Sequence, residues 1–500
     1  MHSSLLISVL LLVPLIGAGV SILVKKSPDA SYFVGLVTAI IELVLAVLVA
    51  VLYNPHIKGA QAFDFYYRHV ISAPLGLAYD VAIDGISVFL VVLAALVTLM
   101  ALWGARDKRR ESSFVSWLLV LTSFTIGSFV SHDFLEFFVF FELILIPTYF
   151  LISQWGGARG GAAATKFFVY TFTGSAFLFI AILYLGFAHQ HQTTGALTFA
   201  YGALSQTAMT SSTEVWLFLA MAVAFAVKSP IWPFHTWAPE SYEQAPTAGS
   251  IELSGILAKM GSYGLLRFAV GLLPLAMSDV RPLIMTLAVI GILYGSALAC
   301  VTPDLKRVVA YSSLAQMGFI TLGVVSGSTI ATEGAVLMMF NHGVITMGFF
   351  LLISYIEKRR GTYVIADLRG LQGPAPVLAA IFTVVMMASI GLPGLSNFVS
   401  EYLILIGTFS VHAWWAVLAG VGVIGAALYW LWSYQRVFHG TSTGENSAIA
   451  DVSTSERWTL VPVVALVLVL GIFPTPLLNK IGPSVHQLIE HAATASGVTK

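Results

Sequence analysis

The sequence predicts an all-α polytopic membrane protein with about fourteen transmembrane helices. Three observations carry this. Of the 500 residues, 58% are hydrophobic and only 10% are charged, with a mean hydropathy of +0.89, whereas about a quarter of a soluble domain is charged. Apolar runs of about 20 residues, the length needed to cross a bilayer, recur from end to end. The stretches between them are short, and none has the composition of a linker to a soluble domain.

The first run, in MHSSLLISVLLLVPLIGAG, lacks a basic leader and is followed by Lys25 and Lys26, so it reads as a retained span rather than a signal peptide. Further spans are expected near 31–53, 83–104, 113–131, 133–153, 166–188, 214–233, 248–272, 281–301, 306–326, 332–356, 376–411, 413–437 and 459–479. Two of these are interrupted. Pro230 and Pro233 follow Lys228 at the end of the seventh, and Gly391-Leu392-Pro393-Gly394 divides the twelfth. A proline lacks the N–H that bonds the carbonyl four residues back, which frees Ala226, Ser229 and Ser389. Irregular backbone at membrane depth is tolerated only inside protein or along a cavity, and broken helices mark ion sites in transporters. Ser396 or Asn397 is placed to cap the restarted twelfth helix.

The same composition narrows the function. With 24 basic and 24 acidic residues, no excess of positive charge invites nucleic acid. The single cysteine, Cys300, excludes an internal disulfide and any all-cysteine iron–sulfur site. No glycine-rich nucleotide loop and no metal-spaced His/Cys/Asp cluster is visible, so redox chemistry in a larger assembly belongs to another chain. Basic residues gather in the loops after odd-numbered spans, among them Lys25, Lys26, Arg106, Lys108, Arg109, Arg110, Lys306, Arg307, Lys358, Arg359, Arg360, Arg369 and Arg436. Lys58, Arg68, Arg267, Arg281, Lys480 and Lys500 fall on the other side. The positive-inside rule then puts the odd loops in the cytoplasm and both termini outside.

Lys228 and Lys259 belong to no loop. An ionisable group at the centre of a span costs roughly 2.5–3.5 kcal/mol on insertion scales, and such groups face the protein interior or a hydrated path. Lys259 lies mid-span in SIELSGILAKMGSYGLLRF, with Gly255, Gly261 and Gly264 permitting close helix approach. Glu252, seven residues earlier, is expected on the same helical face. Lys228 is either a buried cation at a break or a lysine snorkelling to the interface. Glu142, in FLEFFVFFELILIPTYFLI, is either a relay acid or a structural hydrogen-bonding acid, and Glu401 follows the second break. His235 and His342 can exchange protons near neutral pH, or serve as bonded core residues. Glu136, near His132 and Asp133, reads as interfacial, and Glu42 has no assigned role. The 33 Phe and 11 Trp read as lipid-facing and interfacial packing.

The segment KSPIWPFHTWAPESYEQAPTAGSIELSGILAKMGSYGLLRF resembles the signature of the proton-translocating antiporter-like subunits of respiratory complex I, NADH-quinone oxidoreductase. FFELILIPTYFLI, DLKRVVAYSSLAQMGFI, FNHGVITMGFFLLI and GLPGLSNFVSEYLIL resemble further segments of that family in the same order, across roughly residues 80–440. The resemblance implies two inverted five-helix repeats with discontinuous helices near 228–233 and 391–394. It divides the single membrane domain into N-terminal helices (1–110), a first repeat (111–273), a second repeat (280–438) and a C-terminal helix and tail (455–500). Glu401 is acidic where the L and N subunits and many Mrp-type antiporters carry lysine, and the chain lacks the long lateral helix of L. It is therefore most similar to the M branch.

The resemblance further implies that Glu142 and Lys228 form an ion pair, that Lys259 is the central relay lysine and that Glu401 is the outlet acid. His235 and His342 match polar positions on the hydrated axis. The sequence departs from the branch at Glu240 and Tyr242, where Asp and His are common, and at Gln316, where some members carry a histidine. The implied activity is proton translocation from the cytoplasm to the outer side of a bacterial inner membrane, as an electron-transport subunit without its own redox centre. Quinone reduction in neighbouring subunits would drive it, and FMN, iron–sulfur clusters and quinone would sit there. Partners would be the sister subunits L and N and the lipid bilayer. The alternatives are a cation/proton antiporter subunit of the Mrp type, the related subunit of a membrane-bound hydrogenase, or a scaffold whose buried charges only hold helices together.

Overall fold

A bilayer core offers no water to the backbone, so each apolar run must satisfy its N–H and C=O groups internally, as a helix does. The computed structural model describes residues 5–57, 63–104 and 111–495. Lys58, Arg106, Lys108, Arg109, Arg110 and Lys500, which enter the reckoning of basic loops, lie outside the described residues. The chain opens with α1 (Leu5–Leu23) and α2 (Pro28–Leu52). After a β-hairpin come α3 (Val88–Gly104), α4 (Ser112–Val130), α5 (Phe134–Trp155) and α6 (Gly160–Thr193). The broken seventh span consists of α7a (Ser211–Lys228) and α7b (Ala238–Gln244).

Helix α8 covers 247–270 and contains two π-helical turns, Leu253–Leu257 and Leu265–Val270. It is followed by α9 (Met277–Val301), α10 (Leu305–Val325) and α11 (Thr329–Arg360). The twelfth span begins with α12a (Pro376–Ile390). The helical segment Ser396–Phe438 divides at His412, whose φ of −146° and ψ of 67° are not helical, giving α12b (396–411) and α13 (413–438). The chain closes with α14 (Thr454–Ile472) and α15 (Thr475–Ala495).

Among the described residues, eleven helices are long and apolar enough to cross a membrane. The remaining expected spans are supplied by the shorter α3, by the π-interrupted α8 and by the division at His412. Helices α10 and α11 form the centre, with 94% and 100% of their apolar windows buried. In α1 and α2 only 39% and 33% are buried, as befits lipid-facing helices.

Three features differ from expectation. The chain is not wholly helical, because β1 (Asp64–Ser72) and β2 (Leu77–Ile83) pair antiparallel into a hairpin. Its strands are short and interrupted by Asp64, Arg68, His69 and Asp80, so a search for long apolar runs does not find them. The last span ends at Ile472 before Pro474, and the chain resumes as the separate helix α15, so 459–479 is not one helix. Finally, many phenylalanines are internal rather than lipid-facing. Phe134, Phe137, Phe141, Phe225 and Phe268 are buried together, with Phe134 and Phe268 stacked at 4.3 Å.

Helix α15 ties the start of the chain to its end. The Lys480 ammonium donates to the carbonyls of Ala50, Val51 and Tyr53 at the C-terminus of α2, where a cation complements the helix dipole. Ser484 Oγ accepts from Gly85 N at 2.9 Å and lies 3.2 Å from the Tyr53 hydroxyl.

On the opposite side, Asp451 anchors α12a. Its carboxylate accepts from the N–H groups of Val377 (2.9 Å) and Leu378 (3.0 Å) in the first turn of that helix, and from Val452 (2.7 Å). Burial alone would raise the Asp451 pKa, but these N–H groups and the Arg457 charge outweigh it and hold the carboxyl below its ordinary value. A depressed carboxylate stabilises the fold above its unfolded pKa, and that contribution is lost as pH falls through the folded one. Asp451→Ala is expected to cost about 1 kcal/mol, measured as faster amide hydrogen exchange at Val377 and Leu378. In the unaltered protein the same amides should lose protection only below the usual carboxylate range.

Candidate functional site

The seventh span shows how a broken helix can hold a buried cation. Lys228 is the last residue of α7a and only 2% exposed, so it does not snorkel. Its ammonium lies over the Phe141 ring, 4.6 Å from the centroid, an arrangement in which the ring's negative face meets the charge. Two carbonyls of this turn are bonded, including that of Ala226, which Pro230 was expected to free. Ala226 O accepts from Ile231 N at 2.8 Å, and Val227 O accepts from the indole of the buried Trp237 at 2.8 Å. Ser229 carries the break onward, its hydroxyl donating to Ala258 O at 2.7 Å and lying 3.1 Å from Ser262 Oγ. The residue after Lys228 is thereby joined to the residue before Lys259.

Glu142 of α5 has Ser175 and Lys228 as its polar neighbours. The direct ion pair is not made. No contact of 4.0 Å or less joins them, and both Glu142 Oε1 and Lys228 Nζ are buried without a hydrogen-bond partner. The cation rests instead on the ring of the residue beside Glu142.

Lys259 is fully buried. Its ammonium donates to the carbonyl of Ser254, five residues back and inside the first π turn. Ser254 Oγ is in turn 3.0 Å from Ser313 Oγ of α10. Lys259 is also the charged group facing His342 of α11, whose two ring nitrogens have no hydrogen-bond partner. The close approach of α11 depends on Gly343, where an added Cβ would stand 2.6 Å from the Gly255 carbonyl.

Glu252 does not share this environment. Its carboxylate accepts from Thr98 Oγ1 of α3 at 2.8 Å, and Thr98 is 2.8 Å from Thr122 of α4. A π turn advances less per residue than the 100° of an α-helix. Seven positions therefore no longer return to one face, and no ion pair joins Glu252 to Lys259 among the described residues.

Glu401 closes the series. Its Oε1 accepts from Gln316 Nε2 at 3.1 Å and Asn397 Nδ2 at 2.9 Å, and Asn397 also donates to Gln316 Oε1 at 3.0 Å. The expected side-chain cap on α12b is absent: the cap position falls on Leu395, and Ser396 Oγ and Asn397 Oδ1 are both unpartnered. The stop before it is a Schellman turn: Leu392 N bonds Met387 O at 3.0 Å around Gly391, whose φ is +84°. A Cβ added at Gly391 would collide with Glu401 Oε2.

Two contributors escaped the sequence reading. Asn341, beside His342, donates to Ser396 O at 2.7 Å and Ser400 Oγ at 3.3 Å, fixing the restart of α12b. Its signal was a buried amide in an apolar run. Trp237 was the other. His235 is buried, with its ring 5.3 Å from Tyr294, and no hydrogen bond brings it to either lysine.

The arrangement is a line of buried polar groups through the protein centre, from Lys228 and Ser229 through Lys259, Ser254, Ser313 and His342 to Gln316 and Glu401. Such a line can hand protons between helices without any metal. Among the described residues no group of three or more His, Cys, Asp or Glu side chains is placed to hold an ion.

A family profile described as NADH:quinone oxidoreductase/Mrp antiporter, TM, matches residues 131–428. The chain belongs to this family. NADH-quinone oxidoreductase subunit M of Rhodobacter capsulatus is 36% identical over 501 residues, covering 97% of this chain and 96% of that protein. A chain of respiratory complex I from Thermus thermophilus superposes with a TM-score of 0.88 at 27% identity, covering 97% of this chain and 99% of that one. A chain of the Mrp complex from Dietzia sp. superposes with a TM-score of 0.84 over 100% of both chains; at 20% identity this likeness speaks to the fold alone. Within this oxidoreductase/antiporter family, the polar line falls inside the matched region.

Gly391→Ala should destabilise the protein by about 1–2 kcal/mol from the left-handed backbone alone, with a further loss from displacing Glu401. Gly394, at φ +89°, is equally left-handed but an added Cβ there meets nothing within 4 Å, so a thermal midpoint below the native protein's reads the backbone strain and one below that of Gly394→Ala reads the displacement of Glu401. Trp237→Phe should cost about 1–3 kcal/mol by leaving the Val227 carbonyl unpaired, read in the same melting experiment.

Proposed function

We propose that the chain is the proton-translocating, antiporter-like membrane subunit M of a complex I-type NADH-quinone oxidoreductase. The observation that carries this is Lys259, a lysine buried in the centre of the bundle within a polar line that spans five helices of the family's matched region. A buried ion without a compensating ion pair is a poor scaffold, and an ionisable group inside a membrane protein is a functional group by default.

In this reading Lys228 loads a proton near the α7 break, Lys259 receives it, and Glu401 releases it. Buried polar atoms along the line without protein partners, at Lys228, His342, Asn341 and Asn397, are the places where ordered water would complete the relay. Glu142 acts at a distance, tuning Lys228 through space rather than by a hydrogen bond. Gln316 passes the last step as an amide, and His235 lies off the direct route. The protein sits in a bacterial inner membrane with both termini outside. Its neighbours are subunits L and N, and the FMN, iron–sulfur clusters and quinone are held by other chains of the complex. The Mrp-type alternative shares the fold, but Glu401 supplies an acid where those antiporters often carry a lysine.

Lys259→Met keeps the volume and removes the charge. In the assembled complex it should abolish the proton pumping of this subunit while NADH oxidation partners remain bound, measured as proton release per electron pair in proteoliposomes. Unchanged stoichiometry would sink the relay. Glu142→Gln should slow pumping less than Lys228→Met, because no hydrogen bond joins the two residues.

A further inference from the structure

On the basic side of the molecule most arginines are neutralised by acids. Arg307 meets Glu243 at 2.6 Å, Arg359 meets Glu456 at 2.5 Å, and Arg360 pairs with Glu445. Arg369 and Arg436 are exceptions. Both are exposed, and no described carboxylate lies within 4.0 Å of either guanidinium. Asp367, two residues from Arg369, accepts from the Thr362 hydroxyl at 3.2 Å instead. With Trp432, Gln435 and His439, the two arginines line a cleft of about 440 Å³ between the loop before α12a and the last turn of α13.

The cleft is a built feature of the fold. A helix C-terminus carries partial negative charge and repels anions. Here that end is covered: Gly370 N bonds His439 O at 3.2 Å, Leu371 N bonds Val437 O at 3.2 Å, and Gln372 N bonds Phe438 O at 3.1 Å. The same pairing carries Arg369 across the end of α13. Gly440, at φ +94°, leaves room for it, since a Cβ there would stand 3.0 Å from Arg369 Nε. The Arg436 guanidinium carbon is 6.0 Å from the centroid of the Trp432 ring. From that ring an exposed apolar stripe runs down α13 through Leu428, Ile424 and Val421, which are 61%, 63% and 49% exposed. Their three- and four-residue spacing puts them on one face. Tryptophan at such a boundary marks the level of the lipid head groups.

We propose that this cleft binds the phosphate of an anionic membrane phospholipid, with Arg369 and Arg436 gripping the phosphate and the acyl chains lying along the α13 stripe. Paired guanidinium groups match phosphate geometry, and basic pockets between transmembrane helices recognise lipid head groups. A free phosphate would satisfy the arginines equally well but would leave the apolar stripe unused, and that favours the lipid.

The test uses the intact complex in phosphatidylcholine nanodiscs doped with a photoactivatable phosphatidylglycerol, or with phosphatidylcholine carrying the same label. The expected result is labelling of the 421–440 segment roughly tenfold stronger with phosphatidylglycerol, falling to the phosphatidylcholine level in Arg369→Gln/Arg436→Gln. Equal labelling by both lipids, labelling indifferent to the double variant, or no adduct on this segment would each overturn the proposal. Displacement by millimolar inorganic phosphate would also overturn it, by identifying a soluble anion as the ligand. Should the double variant fail to assemble, the comparison of lipids and the phosphate competition decide with the native sequence alone.

Discussion

An ammonium group sealed inside a bundle of apolar helices is the constraint around which the centre of this protein is arranged. Taking Lys259 out of water is costly unless nearby dipoles replace its hydration. The replacement is local and specific. A π turn lets the side chain reach the Ser254 carbonyl, and α11 comes close enough, at a glycine, to present His342. The break in α7 is bonded to the same stretch of α8 through Ser229. Regular α-helix is given up at the places where the charge must be solvated by protein.

The two broken helices solve their backbone problem by different means. In α7 the Ala226 carbonyl released by Pro230 is recovered by Ile231 N, and the neighbouring Val227 carbonyl, which Ile231 N would otherwise bond, by an indole ten residues along the chain. In α12 a left-handed glycine closes the turn by itself, and the restart is held from outside by Asn341. One break therefore carries a lysine resting on an aromatic ring, and the other a carboxyl group bound by two amides. The line between them has a basic beginning and an acidic end.

Much of this was legible in the sequence because hydropathy and proline act locally. Most of the spans, both breaks and the burial of Lys259 follow from composition within single segments, whereas the choice between burial and snorkelling at Lys228 needed the structure. What was not legible depends on geometry between segments. The face of Glu252 was misjudged because a π turn leaves no clear mark in a residue pattern. Glu142 and Lys228 are charge neighbours without a direct contact, and the lysine lies over the Phe141 ring instead, a placement that no spacing rule describes. Asn397 resembled a helix cap because its commitment to Gln316 is set by a helix far away in sequence. The hairpin and α15 were missed for a simpler reason: the strands are short and broken by charged residues and the helix is amphipathic, so neither forms a long apolar run.

Glu401 has one more property that its surroundings impose. Both amides, from Gln316 and Asn397, dock on the same oxygen, Oε1. The other oxygen, Oε2, faces the gap at Gly391, where even a methyl group would collide with it. The two oxygens of one carboxylate are thus inequivalent: Oε1 has its lone pairs engaged, and Oε2 points into the interrupted helix. Any donor or ligand meeting this carboxyl group has Oε2 as its free oxygen, on the side where the backbone has been opened.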